Sequence, residues 1–281
     1  MKQPQETPSK GFVIVATKRT QFLMGAQNLA ESILDHYEDA RITLFTEQQF
    51  LDDPDTQKYL TSYENVLPTP GNSNREKMWG MANSPYDLTF YIDADCEIVS
   101  EDIKDVFKHL GNGKYDMAYV NLTKEGAKHF AEWDWGTNIY DDGCNGIPDH
   151  LTHCGGVALY DMRNPLIKEF MLDWYELYLK QRVGDWNPPE FDGIKKGNFR
   201  QWDQLTLWWL IYHCPKYKSL NWKFFDDNYR WNYFTSFGFN IDGTHNCHVV
   251  DPKRKYWETK SDPVVVHYSS WMDKFGDKGF L

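Results

Sequence analysis

Apolar residues in this chain fall into short unbroken runs and into longer stretches spaced at three and four positions. The first unbroken run, Gly11-Phe12-Val13-Ile14-Val15-Ala16-Thr17, has the pattern of a strand covered on both faces of a parallel sheet. Residues Gly25 to Tyr37 follow, with Leu29, Ile33 and His36 along one face of a predicted helix. Arg41-Ile42-Thr43-Leu44-Phe45-Thr46 is a second strand, and strand, helix, strand in that order is a βαβ unit.

A later apolar run, Leu88 to Val99, is interrupted by two carboxylates, Asp93 and Asp95. Alternate side chains of a strand share a face, so both aspartates are expected on one side where the strand gives out. Ser100 is a good N-cap and places Glu101 and Asp102 in the first turn, where a helix dipole favours negative charge. Ile103, Val106, Phe107 and Leu110 then keep helical spacing, and Gly111 is a natural stop. This stretch therefore reads strand, Asp-x-Asp, helix. Asp116 to Asn121 and Gly155 to Tyr160 are further strand candidates. Asn164-Pro165 opens a helix with Ile167, Phe170, Met171, Trp174, Leu177 and Tyr178 on one broad face. Leu205, Trp208, Trp209 and Tyr212 repeat that spacing. The expected class is α/β, with a Rossmann-like, mixed but mostly parallel central sheet flanked by helices.

Composition narrows the function. The 281 residues show no linker, repeat or low-complexity stretch, so a single domain is expected over 1–281. A formal net charge of −11 argues against a surface that grips nucleic acid. No apolar run approaches the roughly 20 residues a bilayer span requires. Met1 to Lys10 is polar, with two prolines, and reads as neither signal nor transit peptide, so a cytoplasmic protein is expected. Five widely spaced cysteines, Cys96, Cys144, Cys154, Cys214 and Cys247, do not form a disulfide framework or a zinc motif. The C-terminal half is rich in tryptophan among Asp, Asn and Lys, a composition that serves a core or a surface for stacking sugars.

The chemistry concentrates at the Asp-x-Asp. Ligands of open α/β sheets collect beyond the carboxyl ends of the strands, where this pair lies. Two carboxylates on one face suit a hard divalent cation, Mn²⁺ or Mg²⁺, that also takes phosphate oxygens. The alternative is a solvated strand end leading into a turn.

A buried first strand, Tyr91-Ile92-Asp93-Ala94-Asp95, a Gly155-Gly156 strand, Trp202-Asp203-Gln204 and a late His267 come in that order. This order resembles the GT-A glycosyltransferases that use nucleotide-diphosphate sugars, and is most similar to the retaining family 8 enzymes of the glycogenin and galactosyltransferase type. The resemblance covers about 11–275 as scattered motifs and implies a nucleotide-binding half (about 11–121) and a sugar- and acceptor-binding half (about 150–275). It implies that Asp93, Asp95 and His267 hold Mn²⁺ or Mg²⁺, and that Asp93, Ala16, Thr17, Arg75, Lys77 and Lys274 bind the nucleotide and its phosphates. It assigns Gly155, Gly156 and Trp271 to substrate binding, and Asp203 and Gln204 to catalysis. The chain departs from the family's pattern by lacking Asn and Ser before the glycine strand and the Gly-x-x-Lys-Pro-Trp after the histidine. Of the two cations ahead of the Asp-x-Asp, the fork of Arg75 makes it the stronger candidate for sugar or phosphate. The bland counterparts are a polar loop for Arg75 and Lys77, a first-turn helix carboxylate for Asp203 and a core histidine for His267.

The function this implies is metal-dependent transfer of a sugar from a UDP-sugar to an acceptor, with retention. A sugar-phosphate nucleotidyltransferase is a second reading, although Thr17 to Phe22 contains no glycine-rich phosphate loop. A non-catalytic sugar-binding module is a third.

Overall fold

The computed structural model describes residues 7–73, 75–121, 153–186, 188–189, 203–226, 228–235 and 262–268. Its first strand, β1 (Lys10–Ala16), leads into α1 (Thr20–His36) and returns as β2 (Ile42–Thr46). The βαβ unit is as expected. The helix starts five residues before Gly25, because Leu23, Ala26, Ala30 and Ile33 continue one buried stripe back to the end of the preceding loop. The chain continues through α2 (Gln48–Asp52), β3 (Asn65–Pro68), α3 (Lys77–Ala82) and β4 (Leu88–Ile92).

After β4 the structure differs from the sequence reading. Asp93, Ala94 and Asp95 form a tight turn in which the Cys96 amide donates to the Asp93 carbonyl at 3.2 Å. The chain then makes a short strand, β5 (Cys96–Ile98), before any helix begins. Glu101–Gly113 winds as 3-10 turns, with the Ser100 hydroxyl accepting from the Asp102 amide at 3.2 Å. Ile103, Val106, Phe107 and Leu110 are its buried positions, and it ends where Gly111 and Asn112 take left-handed backbone at φ 58° and 55°.

The remaining elements are β6 (Met117–Asn121), β7 (His153–Asp161), α4 (Pro165–Val183), α5 (Asp203–Tyr212), β8 (Trp222–Phe224), α6 (Asn228–Trp231), β9 (Tyr233–Thr235) and β10 (Val265–Tyr268). Strand β7 begins two residues earlier than Gly155, at His153, by pairing with β6. In α4 the Asn164 side chain caps Leu166, as its position before proline predicts. Leu177 is only half-buried there, and Tyr175 shares the buried face in its place.

Seven strands form the main sheet in the order β3-β2-β1-β4-β7-β6-β8. All of its strands are mutually parallel except β7, which runs antiparallel to both neighbours. Alternation splits the core across the sheet: Phe12, Ile14, Phe90 and Ile92 face α1 and the 3-10 segment, while Val13, Tyr91, Tyr119 and Ala158 face α3, α4 and α5. A second sheet, β5-β10-β9, stands beside the carboxyl end of β4. In it His267 of β10 lies directly across from Cys96 of β5.

Candidate functional site

Four chain segments converge at the carboxyl end of β4: the Asp93–Asp95 turn, the start of α3, the glycines of β7 and the start of α5. Strand β10 joins them through the second sheet. The main-sheet geometry fixes Asp93, whose amide donates to the Gly156 carbonyl at 2.8 Å across the β4–β7 pair. Tyr91, two residues earlier and on the same face, is buried and donates its hydroxyl to Asp93 Oδ1. Burial first, and the neighbouring Asp93 charge second, push the Tyr91 hydroxyl far above its ordinary pKa, so it remains a donor.

On one side of Asp93 lies a buried ion cluster. Lys77, the first residue of α3, places Nζ 2.8 Å from Asp203 Oδ2 and 3.7 Å from Asp93 Oδ2. Arg75 approaches Asp203 Oδ1 at 3.8 Å from a much more exposed position. Burial works against the charge on Lys77, but the carboxylates of Asp203 and Asp93 outweigh it and hold its pKa above the ordinary value. Burial likewise opposes ionised Asp203, and Lys77 and then Arg75 overcome it and hold that pKa down. Asp203 opens α5, where the helix dipole also favours a negative charge. Its carbonyl accepts from the Trp174 indole at 2.9 Å and the Thr206 hydroxyl at 2.8 Å, which locks the helix start against α4. Lys77 thus sits at the centre of the cluster and Arg75 at its exposed rim.

On the other side lies the histidine. His267 is buried, with Nε2 3.1 Å from Asp95 Oδ1 and Nδ1 2.9 Å from Asn232 Oδ1. The Asn232 oxygen is an acceptor, so Nδ1 carries a proton and Nε2 is left to face Asp95. Burial disfavours the charged ring, yet Asp95, helped by Asp93, raises the pKa above its usual value. The ligand atoms of Asp95, Cys96 and His267 all lie within 4.8 Å of one another. Asp93 stands slightly apart from that group, turned towards Tyr91 and Lys77, although it and His267 both border Gly156.

The two glycines of β7 line the two sides. A Cβ on Gly156 would lie 2.6 Å from Asp93 Oδ2 and 3.1 Å from His267 Cε1, closer than side chains tolerate. On Gly155 it would meet Lys77 Nζ and the Trp174 ring at 3.4 Å, an ordinary contact. Gly156 therefore has to be glycine for the carboxylate and the imidazole to approach the same point. Once Nε2 gives up its proton, the His267 nitrogen and the Asp95 oxygen, with Asp93 beside them, are donors of the kind that Mn²⁺ or Mg²⁺ takes.

The other expected residues lie as follows. Ala16 and Thr17 close β1 at the same sheet edge, where the Ala16 carbonyl accepts from the Thr46 hydroxyl at 2.6 Å. Gln204 follows Asp203 on α5 and is half-buried. Trp202, Trp271 and Lys274 lie outside the described residues. Residues the sequence reading did not single out are Tyr91, Cys96 as a neighbour of the histidine, Asn232 and Glu76. Only Tyr91 had a local signal, its i−2 spacing from Asp93. Glu76 is fully buried, accepts from the Ser73 amide at 2.5 Å and lies 3.0 Å from the Tyr175 hydroxyl through each oxygen. It anchors the loop that carries Arg75 and Lys77 to α4.

No family model and no curated protein sequence matches the chain. Solved structures do, and they give it the GT-A fold of glycosyltransferases. Superposed on the bifunctional glycosyltransferase WbbM, it gives a TM-score of 0.50 at 14% identity over 95% of its length. It spans 47% of the WbbM chain. Against the galactosyltransferase LgtC the TM-score is also 0.50 at 14% identity, covering 92% of this chain and 87% of LgtC. One LgtC structure contains donor and acceptor sugar analogues. Among the described residues no helix is long and apolar enough to cross a membrane.

Proposed function

We propose that this chain is a metal-dependent glycosyltransferase that takes its sugar from a nucleotide-diphosphate donor, UDP-linked, and retains the anomeric configuration. The observation that carries this reading is the juxtaposition, around Gly156, of an Asp95–His267 pair with a Lys77-centred ion cluster. One side suits a cation and the phosphates it would hold, and the other suits the sugar.

Breaking a sugar–diphosphate bond builds negative charge on the leaving phosphate and positive charge on the anomeric carbon. Bound by Asp95, His267 and Asp93, a divalent cation would supply charge neutralisation to the diphosphate. Lys77 and Arg75 would stand beside it as hydrogen-bond donors, and Lys77 needs no reorganisation because Asp203 and Asp93 already hold it in place. Asp203, ionised because of Lys77, stabilises the developing positive charge on the sugar, with Gln204 next to it on the same helix. Retention rests on the likeness of Asp203-Gln204 to the Asp-Gln pair of retaining enzymes, with the leaving diphosphate itself taking the acceptor's proton. Ala16 and Thr17 would receive the base and ribose at the edge of β1, and Lys274 and Trp271 would complete the phosphate and acceptor sides.

A thermal-shift screen of nucleotide sugars with Mn²⁺ tests the reading, since a ligand that binds only the folded state raises the melting temperature. A UDP-sugar should raise it with Mn²⁺ present and not in chelator, and proton NMR of the first product should show the donor's α configuration. Sugar binding that survives chelator, with no nucleotide sugar consumed, would replace this reading with a binding module.

A further inference from the structure

Cys96 lies at the metal-facing side of the candidate site and has no part in the function proposed above. It is fully buried, in no disulfide, and directly across the β5–β10 ladder from His267. Directly opposed residues of an antiparallel pair project to the same face, with Cβ atoms about 4.5–5.5 Å apart. Its Sγ therefore reaches the group formed by Asp95 and His267, all within 4.8 Å. Tetrahedral coordination at Zn–S and Zn–N distances of about 2.0–2.3 Å puts ligand atoms about 3.4–3.8 Å apart, so a small closure completes a site. Asn232 Oδ1, 2.9 Å from Nδ1, holds the imidazole in the orientation that a metal ligand requires.

Resting on the metal-site reading above, we infer that Cys96 adds a sulfur ligand to this centre and makes it a binding site for thiophilic divalent cations, Zn²⁺ and Co²⁺, in competition with Mn²⁺. Hard cations are held by the oxygens of Asp95 and Asp93 with His267 and leave the sulfur aside. A thiophilic cation is held by Asp95, Cys96 and His267: the S–H bond breaks, a metal–sulfur bond forms, the proton passes to buffer, and nothing is oxidised or reduced. The physical consequence is selectivity. The fold offers one position with two ligand sets of different softness, so Zn²⁺ is an occupant that displaces Mn²⁺ rather than a substitute for it.

The test is a Co²⁺ titration of the full chain followed by absorption, with Mn²⁺ binding measured in parallel by electron paramagnetic resonance. The wild type should show a sulfur-to-cobalt charge-transfer band in the near ultraviolet, bleached by one equivalent of Zn²⁺. Cys96→Ser should lose the band and bind Zn²⁺ about 10–100-fold more weakly, the range seen when a metal site's shell is damaged, with Mn²⁺ affinity little changed. Cys214→Ser should keep the band. If Cys96→Ser does not fold, His267→Ala in the same assay should abolish the band, since both residues would hold the same ion. Co²⁺ binding without the sulfur band overturns this inference and leaves the metal site standing. Failure of both Co²⁺ and Mn²⁺ to bind overturns the metal site and this inference together.

Discussion

The two sides of the candidate site balance their charges differently. Around Lys77, the positive charges of Lys77 and Arg75 meet the negative charges of Asp93 and Asp203, with Lys77 and Asp203 buried and Arg75 at the exposed rim. Around His267, Asp95 meets an imidazole whose far nitrogen is already committed to Asn232. The first side is complete as a set of charges. The second holds a carboxylate whose partner is a proton on Nε2, and a divalent cation can take the place of that proton. Gly155 lines the complete side and Gly156 the incomplete one. A protein can bury many charges when they cancel, and a side whose balance depends on an exchangeable proton marks where a cation can enter.

The comparison breaks most severely at Lys77. Lys77→Met leaves Asp203 buried without its closest cation, and should destabilise the fold by about 3–5 kcal/mol in chemical denaturation. Arg75→Ala, removing a longer and more exposed contact, should cost less than about 1 kcal/mol. Equal losses would mean that the two cations share Asp203 evenly. On the other side, His267→Ala should weaken Mn²⁺ affinity by about 10–100-fold or more, with a smaller effect from Asn232→Ala. A histidine that serves only the core would lower the melting temperature and leave calorimetric Mn²⁺ affinity unchanged in the folded protein.

The glycines sharpen the same contrast. Gly156→Ala should displace Asp93 or His267 and reduce metal affinity, whereas Gly155→Ala, whose added carbon makes only an ordinary contact, should bind metal like the wild type. Indistinguishable variants would mean that the carboxylate and the imidazole do not share a point at Gly156.

How much of this the sequence carried depended on range. β1, α1 and β4 were legible because each buries a continuous apolar pattern within its own residues. β5 was not, because Cys96–Ile98 is too short to show a period and its partner strand is β10, at the far end of the chain. The strand expectation put Asp93 and Asp95 on one side by alternation. The structure instead puts both in a turn beyond Ile92, Asp95 against His267 and Asp93 against Tyr91 and Lys77. The burial of Lys77 was not legible either, because helix register decides it: Lys77 opens α3 facing α5, and Arg75 sits in the loop before it. Asn232 could not have been found locally, since its contact with His267 is purely tertiary. The twin roles of Gly155 and Gly156 needed the β4–β7 register.

The smallest expected effect concerns the loop that carries both cations. Burial holds the Glu76 carboxyl above its ordinary value of 4.5, against the Tyr175 hydroxyl and the Ser73 amide, which favour the ionised form. A carboxyl with a raised folded-state pKa contributes most to stability below the unfolded value, and that contribution is lost as pH rises through the folded value. Relative to Glu76→Gln, which stays neutral, the wild type should therefore lose stability as pH rises above about 4.5 in urea denaturation. The opposite sign would show that the hydrogen bonds from Tyr175 and Ser73 outweigh burial.

The central claim is that the Asp95–His267 side of the site holds a cation that in turn holds a nucleotide diphosphate. Isothermal titration calorimetry of UDP into the full chain, with Mn²⁺ and then in EDTA, tests it most directly, with Asp95→Asn as the companion protein. The account predicts UDP affinity at least about tenfold higher with Mn²⁺ for the wild type, and no metal dependence for Asp95→Asn. Equal UDP binding by the wild type with Mn²⁺ and in EDTA would contradict it.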